Sequence, residues 1–181
     1  MQLLTQPEAK QWCQVRGLTG GETGRASEWE FARDPQPDLE VATDLRPPEL
    51  VSLASACLLL GTQGGDDPDF AGALVWLLDW DIWSETSERV AVFLTQKVRG
   101  DTESRLSSAL RERPATVFSP SELVTAQALV AMPLLFQWDA LVVPEPARAA
   151  AVISHHGGVL LKSATRVVHE QLSHRFEERS S

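Results

Sequence analysis

The most constraining feature of the sequence is the segment from Ala71 to Asp81, which is apolar at nearly every position until Asp79. A turn-forming segment, Gly64–Asp69, precedes it. A strand with one face in solvent alternates between apolar and polar residues, whereas a strand buried on both faces gives a continuous apolar run. The segment therefore predicts a central β-strand that is buried on both faces over most of its length.

Two segments carry the same signal for the beginning of a helix. Thr5 and Ser119 are each followed by a proline within two residues and by a glutamate three residues later. A capping hydroxyl, an early proline and a glutamate at this spacing are typical of a helix N-terminus. The first helix is expected to end at Gly17. The second, 120–136, is apolar on nearly all sides, so we predict it to be the central and most buried helix, with Pro133 kinking it or ending its regular part.

Apolar periodicity and turn signals predict the remaining elements. Further helices are expected at 47–60, 85–99 and 165–181, with a shorter one within 101–113. The other expected strands are 27–33, 39–42, 115–118, 138–143, 149–154 and 159–162. With 181 residues, of which 43% are hydrophobic, the chain can bury a sizeable core. We therefore predict one α+β domain over residues 1–181, with a mostly antiparallel or mixed sheet flanked by about five helices.

The charge balance excludes several classes of partner. The formal net charge of −9 makes the chain repel phosphate backbones and anionic lipid, so we expect it to bind neither nucleic acid nor a membrane surface. The longest largely apolar stretch, 123–136, is shorter than the ~20 residues that a spanning helix needs. The first residues do not resemble a secretory signal, and Cys13 and Cys57 lack metal or redox spacing. We therefore expect buried, reduced thiols in a cytoplasmic protein.

Signatures of cofactor and metal binding are weak in this sequence. The glycines of 17–24 follow no predicted strand and have no lysine beside them, so they match neither a P-loop nor a dinucleotide fingerprint. Asp79, Asp81, Glu85 and Glu88 could offer oxygen ligands, but they lack the spacing of a calcium loop. The helix dipole alone favours carboxylates at the start of a helix. We predict no cofactor and no metal site.

Tryptophans and carboxylates alternate where the central strand is expected to end. Trp80, Asp81, Trp83 and Glu85 could form an aromatic and acidic rim that recognises a protein partner or a cationic ligand. The alternative is that the tryptophans belong to the core and the carboxylates cap the helix that follows. Both interpretations remain open at this point.

Two adjacent histidines lie in a predicted hairpin turn. His155 and His156 precede Gly157-Gly158, and adjacent residues of an extended hairpin point in opposite directions, so they rarely chelate one ion. Either histidine could act as a general base beside Asp139, although the sequence does not place them together. The alternative is a turn with two exposed imidazoles. We keep Asp139, His155 and His156 as candidate binding residues.

Two stretches resemble a group of small bacterial proteins. Leu74–Trp83 is similar to a stretch that usually reads W-hydrophobic-x-E-W-G-I-W, and Trp138-Asp139-Ala140 with the later Ser154-His155-His156 is similar to W-D-A followed by S-H-D. The chain departs from the pattern at Asp79-Trp80-Asp81, where the usual reading is E-W-G. It departs again at His156, where the usual residue is acidic. The resemblance covers residues 70–160 and implies a shared fold, and it implies no activity.

Two functions from different classes are compatible with these features. The first is a non-catalytic cytosolic protein of the accessory or immunity type, which binds a protein with a basic surface by charge complementarity. The second is a small-ligand binder or hydrolase-like enzyme with a site around Trp80, Asp81, Asp139 and His155. A concave pocket in which Asp139 and His155 converge would favour the enzyme. An apolar patch ringed by carboxylates would favour the binding protein.

Overall fold

A computed structural model describes residues 1–20, 28–42, 47–60, 69–79 and 115–177. The strands in these ranges are β1 Gln2–Leu4, β2 Leu18–Thr19, β3 Glu30–Phe31, β4 Leu39–Ala42, β5 Ala73–Asp79, β6 Ala115–Phe118, β7 Asp139–Pro144, β8 Ala149–Ser154 and β9 Gly158–Ser163. Seven of them form one sheet in the order β1-β6-β5-β7-β8-β9-β4, and β2 pairs with β3. Every neighbouring pair is antiparallel. The α+β class and the mostly antiparallel sheet are thus confirmed.

Strand β5 lies inside the sheet, between β6 and β7. All six residues of Ala73–Leu78 are buried. Alternate residues contribute to different cores, with Val75 on one face and Leu74 and Trp76 on the other. The prediction of a central strand buried on both faces is confirmed, because both faces of the sheet are covered.

Four α-helices occur in the described residues. They are α1 Gln6–Val15, α2 Pro47–Leu58, α3 Leu123–Phe136 and α4 Arg166–Glu177, and a short 3-10 helix, Pro120–Glu122, precedes α3. The predicted helices 85–99 and 101–113 lie outside the described residues. The expected number of about five helices is therefore not confirmed.

The two predicted helix starts form as expected. The Thr5 backbone N–H donates to Glu8 Oε2 at 2.7 Å, and the Ser119 backbone N–H donates to Glu122 Oε2 at 2.9 Å. In both cases the threonine or serine side chain also accepts from the third residue of the helix, which completes a capping box. Gly17 follows α1 with a φ of +82°, the left-handed conformation that a helix-ending glycine adopts readily.

Two hydrophobic cores lie on opposite faces of the sheet. Helices α2, α3 and α4 cover one face, which carries Val75 and Val142, and α1 with β2 and β3 covers the other, which carries Trp76 and Leu141. Trp29, just before β3, packs its ring 5.4 Å from that of Trp76. This arrangement makes the sheet the middle layer of the fold.

The expectation of a single central helix is not confirmed. Helix α3 packs against α2 and the sheet, and Leu129 and Val130 are buried there. Its other side faces solvent, where Val124 is 77% exposed. A helix that packs on one face of a sheet has an outer side in solvent, whatever its composition. The almost entirely apolar sequence of α3 therefore did not indicate that the helix is central in the fold. Pro133 lies within the helix and is buried.

The shortest strands differ most from the prediction. A strand was expected over 27–33, whereas the strand within the described residues there is only Glu30–Phe31. Its partner β2 and the edge strand β1 were not predicted. Strands of two or three residues are too short to show an alternating pattern, which explains these differences.

Candidate functional site at the turn end of the sheet

Antiparallel pairing brings the start of β7 and the end of β8 to the same end of the sheet. Ala140 pairs with Ile153, so Asp139 lies beside the turn that follows Ser154. On its other side β7 pairs with β5, and there Asp139 lies opposite Asp79, the last residue of β5. The β8–β9 turn and the ends of two inner strands therefore meet at this edge.

The end of α3 determines where β7 begins. Gln137 follows the helix in the left-handed conformation, with a φ of +54°, and the Trp138 N–H donates to the Pro133 carbonyl oxygen at 3.1 Å. Trp138 is buried in the core, and the ring of Phe136 lies 5.3 Å from its ring. A sharp turn anchored by a buried tryptophan thus fixes the position of Asp139.

Asp139 and His155 form the best-defined polar contact at this end. Oδ1 of Asp139 accepts a hydrogen bond from the His155 backbone N–H at 2.7 Å and lies 2.8 Å from the ring Nδ1, within hydrogen-bond distance. The Asp139 side chain is 14% exposed and that of His155 is 37% exposed. One carboxylate oxygen therefore holds both the backbone and the ring of His155, leaving part of the imidazole in solvent.

His156 lies against His155, contrary to the prediction. The two ring centroids are 3.9 Å apart, with an interplanar angle of 47°. The prediction of opposite directions assumed extended backbone, but the residues form a turn in which Gly157 has a φ of +85° and the His156 N–H donates to Ser154 Oγ. The turn conformation removes the alternation of side-chain directions that a strand imposes.

Exposed apolar and acidic side chains also occur at the ends of α3 and of the outer strands. Leu135 and Phe136, the last residues of α3, are 48% and 42% exposed. Glu40 of β4 lies beside the first residue of β9, because a Cβ placed on Gly158 would be 3.6 Å from Glu40 Oε1. We refer to Leu135 and Phe136 at the end of α3, Asp139 at the start of β7, and His155 and His156 in the β8–β9 turn together as the turn-end surface.

The remaining candidates have different outcomes. Trp80, Asp81, Trp83 and Glu85 lie outside the described residues, so their predicted rim stays a prediction. Leu135 and Phe136 were not candidates, because α3 was expected to be the most buried helix. The one sequence signal for them was their place at the end of the helix, next to Gln137.

Cys13 and Cys57 are free and buried, and burial raises the pKa of each thiol to about 12. Within the described ranges, no group of three or more histidine, cysteine, aspartate or glutamate side chains could hold a metal ion. No helix in the same ranges is long and apolar enough to cross a membrane.

No protein-family model, curated protein or solved structure matches the chain.

Proposed function

We propose that this protein acts by binding another protein through the turn-end surface, without catalysis. The observation that supports this most directly is the exposure of Leu135 and Phe136 immediately before the buried Trp138. Large apolar side chains that lie together in solvent on a rigid support are typical of protein contact sites. Trp138 and the α3 helix provide that support.

The charge of the chain indicates the kind of partner. The net charge is −9, and Asp139 and Glu40 place carboxylates at the same end as the exposed apolar residues. An acidic surface attracts a basic one and increases the rate of association. We therefore propose a partner whose contact surface is basic and partly apolar.

The sequence candidates after β5 belong to the same proposal. Strand β5 ends at Asp79, opposite Asp139. Trp80, Asp81, Trp83 and Glu85 follow directly in the chain, and we propose them as further contact residues on the basis of their residue types. An aromatic ring among carboxylates suits a cationic and partly apolar surface.

The proposal is tested by affinity capture with variants at two places on one helix. The test variant is Leu135→Ser/Phe136→Ser, and the matched control is Val124→Ser, at an exposed site near the other end of α3. The wild type and the control should retain the same basic protein from the native host. The test variant should bind that purified protein at least about tenfold more weakly in calorimetry.

Two results would contradict the proposal. One is equal affinity of the test variant and the wild type, with both shown to be folded by circular dichroism. The other is retention of no specific protein by the wild type. A separate pair of variants, Trp83→Ala and Asp81→Lys/Glu85→Lys, tests the contact residues that follow β5.

One observation favours a second candidate, the enzyme. Asp139 Oδ1 and His155 Nδ1 converge at 2.8 Å, an arrangement in which a carboxylate orients an imidazole for general-base catalysis. This candidate predicts ester or amide hydrolysis by the wild type that is lost in both His155→Ala and Asp139→Asn. Hydrolysis that survives in either variant would exclude this pair as its source.

A further inference from the structure

The hydrogen bonds of Asp139 determine which nitrogen of His155 carries the proton. A backbone N–H can only donate, so Oδ1 of Asp139 is the acceptor at 2.7 Å from the His155 nitrogen. An ionised carboxylate has no proton to give, so the contact of the same oxygen with Nδ1, at 2.8 Å, requires a proton on Nδ1. The neutral ring is therefore the Nδ1–H tautomer.

The consequence of this tautomer lies at the other ring nitrogen. When Nδ1 carries the proton, Nε2 of a neutral imidazole has a lone pair and can only accept a hydrogen bond. Nε2 donates to or accepts from none of the described residues, and the His155 side chain is 37% exposed. The turn-end surface thus carries an acceptor that is held in one orientation by Asp139.

We propose that Nε2 of His155 accepts a hydrogen bond from an arginine or lysine side chain of the protein partner. This inference rests on the proposed function and names the chemistry of the contact. A neutral acceptor held by a carboxylate suits a cationic donor, because the donor satisfies Nε2 while the Asp139 carboxylate on the same ring attracts it.

The neighbouring ring limits the directions from which the donor approaches. The His156 ring lies 3.9 Å from the His155 ring and covers part of one side of it. The planar guanidinium group of arginine can donate to an acceptor in the ring plane and stack on an imidazole face at the same time. A hydroxyl group offers one donor and no charge, so it fits this position less well.

The tautomer is measured first, in the free protein, by nitrogen NMR of the imidazole rings at about pH 8. In the wild type, Nδ1 of His155 should resonate as the protonated nitrogen and Nε2 as the unprotonated one. In Asp139→Asn the balance should shift toward a proton on Nε2, while His174, a histidine distant in sequence, stays unchanged. A protonated Nε2 in the wild type would overturn the inference.

The donor class is tested with small probes, because these need no knowledge of the partner. N-acetyl-arginine amide should move the Nε2 resonance of His155 in a saturable way. N-acetyl-citrulline amide, its neutral counterpart, should move it at least about tenfold less at equal concentration. Equal effects of the two probes, a larger effect of a serine amide, or no effect of the arginine probe would each contradict a cationic donor.

The captured partner supplies a second readout. His155→Asn keeps an N–H near the Nδ1 position and removes the acceptor at Nε2, whereas the side-chain amide of His155→Gln reaches the Nε2 position. His155→Asn should weaken partner binding by about tenfold and His155→Gln by less. Unchanged affinity of His155→Asn, with loss of binding in Leu135→Ser/Phe136→Ser, would overturn this inference and leave the proposed function in place. Unchanged affinity in both variants would overturn the two together.

Discussion

The substitution Leu129→Ala measures the packing of α3 against the sheet. Leu129 is buried in the core on the α2 and α3 face. The change removes three carbon atoms from that core, and at about 0.8 kcal/mol per buried carbon the transfer cost is about 2.4 kcal/mol. A cavity that fails to collapse adds to this cost, so we expect the free energy of unfolding to fall by about 2.5 to 4 kcal/mol.

Leu135→Ala is the matched control on the same helix. The side chain is identical, but 48% of the residue is already exposed. About half of the transfer cost of Leu129→Ala therefore applies, and we expect a loss of about 1.2 kcal/mol with no added cavity cost. Because both substitutions replace leucine by alanine within α3, their helix propensities largely cancel in the comparison. The difference between the two variants therefore reports burial.

The assay is urea unfolding followed by circular dichroism, with the slope against denaturant compared between variants. An unchanged slope means that the variants unfold from and to comparable states, so that a shifted midpoint reports stability. A loss below about 1 kcal/mol for Leu129→Ala, or equal losses for both variants, would show that the sheet-facing side of α3 is assigned wrongly.

Three further predictions follow from the buried thiols, the second capping box and the possible metal ligands. Cys13 and Cys57 should resist alkylation by iodoacetamide at about pH 8 in the native protein and react in urea, because burial raises each thiol pKa to about 12. Rapid alkylation of the native protein, measured by mass spectrometry, would refute their burial. The pKa of the Glu122 carboxyl group is lowered from 4.5 to about 2 by a hydrogen bond from the Met1 ammonium group and one from the Ser119 N–H. The ionised carboxylate therefore stabilises the fold fully above pH 4.5, and this contribution is lost as the pH falls toward 2. The urea midpoint of Glu122→Gln should therefore be lower than that of the wild type at pH 7 and approach it at low pH, whereas Glu170→Gln, at an exposed i,i+4 pair, should change little at either pH. Treatment with EDTA should leave Tm unchanged, and a shift of several degrees would point to a bound cation.

The elements that the sequence predicted best are those whose signals are local. The capping boxes at Thr5 and Ser119 depend on residues three apart, and both form. The apolar run of β5 predicts burial on both faces because only a strand covered on both sides tolerates it. Strand β1 has three residues and pairs with the distant strand β6, and β2 has only two residues. Segments this short carry no local pattern that distinguishes them from loops.

The contact between Asp139 and His155 in the candidate site could not be predicted from local sequence either. The sequence contains Asp139 at the start of a strand and His155 in a turn, but the contact between them spans 16 residues and requires the register in which Ala140 pairs with Ile153. A register shift by one residue would turn either side chain to the other face of the sheet. Sequence alone does not determine the register, and therefore the two residues could be proposed together only as an alternative.

The exposed apolar residues have a different cause. Helix α3 lies on one face of a sheet, so one of its sides faces outward even though its residues are almost all apolar. Leu135 and Phe136 lie at the end of that helix, just before Gln137 and the buried Trp138, and they are partly exposed to solvent. Exposing such residues costs solubility without strengthening the core, since Leu129 and Val130 already fill it. The partner contact that we propose would cover them.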